Sequence, residues 1–313
     1  MTMTATTPQG GPDRAVDAAR DAAPAAPPRS IRPILVPLDG SDLAEHALPY
    51  AEALAAPGCQ LIFLEVGQGE DEFQLLDRHA GACAQLETVV GDPAQQILQV
   101  ARTLGVGLII MTTHGRGALG RWAFGSVADQ VARTSPAPVM LIRPADEALP
   151  NPVIQRIVAP LDGSPLSERA LPIAEAIARQ MNAPVHLVTA LDLARLLPVE
   201  LMPTAAFNAD LYGEQVHQAQ RDAEEWLSEA AAQLRRGGVE VSHGVYPGSP
   251  IAVLQELAQP GDVMVLASRR RRGAARFLLG SLAEQLIRAG TVPVVLVPAA
   301  DASGQTPDGA ASA

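Results

Sequence analysis

The sequence predicts an α/β protein built from two copies of one doubly wound domain, and three observations predict it. The stretch IRPILVPLDGSDLAEHALPYAEALA at 31–55 returns as IQRIVAPLDGSPLSERALPIAEAIA at 154–178. The stretch GSVADQVARTSPAPVMLI at 125–142 returns as GSLAEQLIRAGTVPVVLV at 280–297. Between these blocks, short and almost wholly apolar runs alternate with helical periodicity, the pattern of parallel strands buried on both faces. A repeat this long exceeds a solenoid unit and means two domains of one fold, which a chain of 313 residues accommodates.

In the first copy the apolar runs predict strands at 33–38, 60–66, 86–90, 107–112 and 138–142. In the second they predict strands at 156–161, 184–190, 239–245, 262–267 and 293–297, with helices between. The copies differ between their second and third strands. The second carries the acidic amphipathic segment YGEQVHQAQRDAEEWLSEAAAQLRRGG, a long helix ending on a glycine stop signal. The first has a much shorter connection, with room for a short helix around Glu70 to His79. The expected division is a disordered tail at 1–29, a first domain at 30–145, a linker at 146–153, a second domain at 154–299 and a disordered tail at 300–313. The last strands, APVMLI and VPVVLV, would leave apolar edges bare, so the two copies are expected to pack as a pseudo-dimer within the chain. A homodimer of such chains is a further expectation.

Composition excludes several classes of function. A net charge of −11 opposes general nucleic-acid or anionic-membrane binding, which needs clustered positive charge. All 23 basic residues are Arg, which removes amine chemistry and the phosphate-binding lysine of Walker-type loops. Cys59 and Cys83 are the only cysteines, and the six His residues show no zinc-ligand spacing. The N-terminal residues lack the apolar core of a signal peptide and no run approaches a membrane span, so a cytoplasmic protein is expected.

Ligands of an open parallel sheet bind outside the carboxyl ends of its strands, where strand order reverses. Strand one ends in Pro37-Leu38-Asp39-Gly40-Ser41, repeated as Pro160-Leu161-Asp162-Gly163-Ser164. The Asp could accept hydrogen bonds from a ribose or an adenine amine; equally, Asp-Gly-Ser is a good turn or helix N-cap. Strand four ends in Met111-Thr112-Thr113-His114-Gly115, and Gly125-Ser126 opens the next helix. Free N–H groups at a helix start, with glycines that admit an anion to the backbone, make a phosphate cradle. His114 reads as a loop residue beside this site, and Arg269 to Arg272 read as a solvated loop or, alternatively, a phosphate clamp or a contact for an acidic partner.

The PLDGS turns, the stretch THGRGALGRWAFGSVADQVARTSPAPVMLIR and the stretch GSLAEQLIRAGTVPVVLVP resemble the universal stress protein family. The resemblance covers 31–298 and looks like a tandem of two such domains. It implies an adenine nucleotide alpha hydrolase-like fold, a five-stranded parallel sheet of order 3-2-1-4-5 that sets strands one and four side by side. ATP-binding members carry a motif of Gly, two residues, Gly, nine residues, then Gly and Ser or Thr. Here it falls on Thr112, Gly115, Gly125 and Ser126, with the first Gly replaced. The same resemblance assigns Pro37, Asp39 and Val66 to an adenosine pocket, with Met111 beneath it and Val127 beside the phosphates. In the second copy the motif positions hold Ala267, Arg270, Gly280 and Ser281, so the nucleotide is expected in the first copy.

The function implied is that of an ATP-binding regulatory protein in stress response, with or without Mg, which changes conformation or association rather than turning over substrate. Two other classes stay open: a slow ATPase or self-phosphorylating protein with Ser126 as acceptor, and a nucleotide-free interaction scaffold. The protein partner is not readable from the sequence.

Overall fold

The computed structural model describes residues 31–55, 60–67, 84–113, 125–143, 154–192, 209–268, 280–289 and 292–299. In the first copy the strands are β1 (Ile34–Leu38), β2 (Leu61–Gly67), β3 (Ala84–Val90), β4 (Leu108–Thr112) and β5 (Val139–Ile142). In the second they are β6 (Arg156–Pro160), β7 (Val185–Leu191), β8 (Val241–Pro247), β9 (Asp262–Ser268) and β10 (Val294–Pro298). The helices of the first copy are α1 (Asp42–Glu45), α2 (Leu48–Leu54), α3 (Pro93–Thr103) and α4 (Ser126–Thr134). Those of the second are α5 (Leu171–Met181), α6 (Ala209–Arg236), α7 (Pro250–Leu257) and α8 (Ser281–Ala289). The short helix expected around Glu70 to His79 lies outside the described residues.

All ten strands form one sheet of order β3-β2-β1-β4-β5-β10-β9-β6-β7-β8. Each half therefore has the expected order 3-2-1-4-5, and every pair within a half is parallel. The exception is the seam. There β5 runs antiparallel to β10, with Val139, Met140 and Leu141 opposite Leu296, Val295 and Val294. The last strands thus cover each other's edges, and the copies pack as the expected pseudo-dimer.

Helices lie on both faces, as the apolar strands require, because a strand such as Leu108–Thr112 is buried throughout. On one face α2, α5 and the carboxyl half of α6 cover Ile34, Val36, Ile157 and Val265. On the other, α3, α4, α7 and α8 cover Leu35, Ile109, Val158 and Met264. Each layer contains residues of both copies, so the core is continuous across the seam. Polar contacts cross it too. Arg143 donates to the carbonyls of Arg288 and Ala289 at 3.3 and 3.2 Å, capping the carboxyl end of α8, and Arg32 donates to Gln180 Oε1 at 3.1 Å.

The long acidic segment is the 28-residue α6, followed by Gly238 with φ of +80°. Ala223, Leu227, Ala231 and Leu234 bury its carboxyl half. At 1.5 Å per residue a helix this long spans about 40 Å, against about 23 Å for a seven-residue strand, so its amino half runs past the sheet.

Candidate nucleotide crevice

Parallel strands all present their carboxyl ends at one edge of a half-sheet, and the change of direction between β1 and β4 opens a crevice there. In the first copy the strand register is Ile34 opposite Leu108 and Leu35 opposite Ile109. Continued two residues further, it sets Met111 level with Pro37. Pro37 pairs with Leu64 on the other side, two residues before Val66. Met111 and Thr112 are buried at the end of β4.

The Pro-Leu-Asp-Gly-Ser turn shows how the sequence shapes this edge. Asp39 Oδ1 accepts from the Ser41 N–H at 3.0 Å and from the Ser41 hydroxyl at 2.6 Å. Ser41 Oγ in turn accepts from the Ala44 N–H at 3.2 Å and caps α1. The cap is therefore Ser41, and Asp39 holds the turn. Gly40 has φ of +72°, a left-handed conformation that glycine adopts without a Cβ penalty. The second copy repeats it all: Asp162 Oδ1 accepts from Ser164 N and Oγ, Ser164 Oγ accepts from Ser167 N, and Gly163 has φ of +74°.

Gly125 is the N-cap of α4, and its N–H donates to the Thr113 carbonyl at 2.8 Å. That bond fastens the helix start to the end of β4, placing Gly125, Ser126 and Val127 at the β4 side of the crevice. Gly115, with the rest of the loop 114–124, lies outside the described residues, as do His114 and Arg269 to Arg272.

The second copy contains a cavity of about 620 Å³ at the equivalent place. Its lining includes Pro160, Asp162 and Ala190, which occupy the repeat positions of Pro37, Asp39 and Val66. Leu266 and Ala267 stand there for Met111 and Thr112, and Gly280, Ser281 and Leu282 for Gly125, Ser126 and Val127. Residues that motif spacing singles out in one copy are thus gathered around one cavity in the other. A Cβ built at Gly280 would meet nothing within 4 Å, so neither packing nor backbone conformation explains a glycine there.

Sequence reasoning missed three of the residues that line this cavity. Pro250 and Leu254 of α7 form part of its wall, and Asp192, just past β7, lies at its edge. Trp226 of α6 braces the turn from outside, its indole 3.4 Å from where a Cβ on Gly163 would sit. These placements come from helix docking, which no local motif announces. Among the described residues no group of three or more His, Cys, Asp or Glu is placed to hold a metal ion. No described helix is long and apolar enough to cross a membrane.

A doubly wound parallel sheet whose strand order reverses between β1 and β4 defines the class of open α/β proteins that carry a crevice at the carboxyl ends of their strands. The particular family follows from comparison. The model of the universal stress protein family matches residues 66–143 and 154–298, and the chain belongs to that family. A universal stress protein of Mycobacterium tuberculosis is 28% identical over 216 residues, covering 67% of each chain. Among solved structures, a protein of unknown function from Pseudomonas aeruginosa PAO1 superposes with a TM-score of 0.59 at 19% identity, covering 86% of this chain and 93% of that one. A universal stress protein from Archaeoglobus fulgidus superposes with a TM-score of 0.54 at 20% identity, covering 85% and 97%.

Proposed function

We propose that this universal stress protein is an adenine-nucleotide-binding regulator, with domains at 30–145 and 154–299, whose output is a change of conformation or association. The observation that supports the reading is the pairing of β1, which ends in the Asp39 turn, with β4, whose end is fastened to the start of α4 through Gly125. ATP would lie with its adenosine against Pro37, Asp39, Val66 and Met111. Its phosphates would lie over Thr112, Gly115, Gly125, Ser126 and Val127, where backbone N–H groups and the α4 dipole favour negative charge.

A second reading has its own support. The second-copy cavity, at about 620 Å³, falls within the roughly 300–1,000 Å³ usual for small-molecule sites. There Arg270 replaces the motif glycine, so any phosphate would be held by guanidinium groups instead of backbone amides.

Native mass spectrometry of the freshly purified full chain, followed by calorimetric ATP titration, tests both readings. Gly115→Val should abolish binding under the first, since a branched side chain blocks phosphate approach. Gly280→Val, whose Cβ would meet nothing within 4 Å, should weaken it under the second by filling part of the cavity that Gly280 lines. An ATP-free protein that also fails to bind added ATP refutes both and leaves the scaffold class. Phosphate release that disappears in Ser126→Ala would instead favour the self-phosphorylating class.

A further inference from the structure

The second copy carries a polar network that the first lacks. On the face covered by α7, His186 of β7 lies between Ser242 and Tyr246 of β8. Its Nδ1 is 2.8 Å from Ser242 Oγ and its Nε2 is 3.0 Å from Tyr246 Oη. The Tyr246 ring meets the imidazole edge-on, with centroids 6.1 Å apart. It reaches back along its own strand because Gly244 lies beneath it: a Cβ there would sit 2.8 Å from the tyrosine ring. The repeat positions of His186, Ser242 and Tyr246 in the first copy are Ile62, Gln85 and Val89, with Ile62 buried under α3. An apolar contact in one copy has become a titratable one in the other.

The helix above it is also the less secured of the pair. In α3, Asp92 caps the first turn, accepting from the Gln95 N–H at 2.9 Å, and Ala94, Ile97, Leu98 and Ala101 are buried. In α7, Ser249 makes no side-chain cap and only Val253 and Leu254 are buried. Since Pro250 and Leu254 line the 620 Å³ cavity, any loosening of α7 moves a cavity wall.

We propose that His186, with Tyr246 and Ser242, forms a proton-operated latch under α7, which holds the helix against the sheet while the imidazole is neutral and loosens it when the imidazole is protonated. A neutral imidazole donates through one nitrogen and accepts through the other, so each hydroxyl has one matched role. A protonated ring must donate from both: the exposed Ser242 hydroxyl can turn its proton to water, whereas the half-buried Tyr246 hydroxyl must accept and turn its own proton away from the imidazole.

The surrounding charges come from every strand nearby. On β6 stands Arg156, on β9 Asp262, and on β8 His243; the one charged residue of α7, Glu256, is exposed. Asp262 is committed to Arg156, accepting from its Nε at 2.9 Å and its Nη2 at 2.7 Å. Burial first, then the Arg156 charge, hold the His186 pKa below its ordinary value, with Asp262 opposing in part. The latch is therefore closed at neutral pH. It does not depend on which ligand the cavity takes.

The test is amide hydrogen exchange on the ligand-free full chain at about pH 7.5 and about pH 5, expressed as protection relative to intrinsic rates, a range that titrates His while leaving ordinary carboxylates charged. Protection in α7 and β8 should drop on acidification while that of α3, over Ile62, holds. His186→Ile, which installs the first copy's residue, should remove the acid loss and leave the other histidines in place as controls. Tyr246→Phe, which keeps the ring and removes one partner, should lower α7 protection already at the higher pH. Equal acid loss in α3 and α7, loss that persists in His186→Ile, or a Tyr246→Phe profile identical to wild type would overturn the proposal.

Discussion

Asp262 is a buried, multiply bonded carboxylate of the second copy, and its removal should be costly. Its side chain is 2% exposed. It accepts from Arg156 Nε and Nη2 at 2.9 and 2.7 Å and from the Gln259 N–H at 2.9 Å. Arg156 Nη2 also donates to the Leu257 carbonyl at 2.9 Å, so the pair ties the end of α7 to β6 and β9. Asp262→Ala would leave a guanidinium and an amide without their acceptor. Breaking a buried pair from one side costs roughly 3–5 kcal/mol. Arg156 is 24% exposed, so water recovers part of its solvation and the lower end, about 3 kcal/mol, is expected. In a separate cycle of Asp262→Leu, Arg156→Leu and the double Leu variant, the double should recover much of the loss of the singles, giving a coupling of about 2 kcal/mol. Urea unfolding at neutral pH measures all of these proteins, and a buried pair predicts little change between low and high salt. A loss below about 1 kcal/mol for Asp262→Ala, or single effects that simply add, would refute the reasoning.

Gly107→Ala should destabilise the first copy by about 1–3 kcal/mol or more, because its Cβ would lie 2.4 Å from the Ile31 carbonyl carbon and 2.6 Å from the Arg32 nitrogen, backbone atoms with nowhere to go; thermal melting reads this directly. Gly40→Ala and Gly163→Ala should each cost about 1 kcal/mol for a left-handed position, and only the second should change the emission of Trp226, which touches that turn. Because burial lowers the His186 pKa from 6.5, the unfolded chain binds the proton more readily than the folded one. Stability from this residue is therefore complete above the unfolded value and is lost as pH falls below it towards the folded value. Stability curves of wild type and His186→Ile should diverge in that direction below about pH 6.5, and parallel curves would count against it.

The strand pattern was legible in the sequence because strands buried on both faces must be apolar at nearly every position. The runs at 33–38 and 262–267 therefore announced β1 and β9 to within a residue of their ends. The PLDGS turns were legible for a similar local reason: Gly40 and Gly163 mark left-handed backbone, and an Asp and a Ser two residues apart close the turn on themselves. Even the seam could be foreseen, since an apolar last strand requires a cover.

Only the tertiary structure decided which side chains from distant segments meet. His186, Ser242 and Tyr246 look like ordinary strand residues until β7 and β8 align in parallel, and Gly244 has no evident purpose until the Tyr246 ring lies over it. Pro250 and Leu254 become cavity walls only when α7 docks, and Trp226 meets Gly163 only because α6 runs back past the carboxyl edge of the sheet. Local sequence sets backbone geometry and burial face, because those depend on neighbours within a few residues. Contacts across the sheet depend on register and helix placement, which are settled by packing the whole core at once.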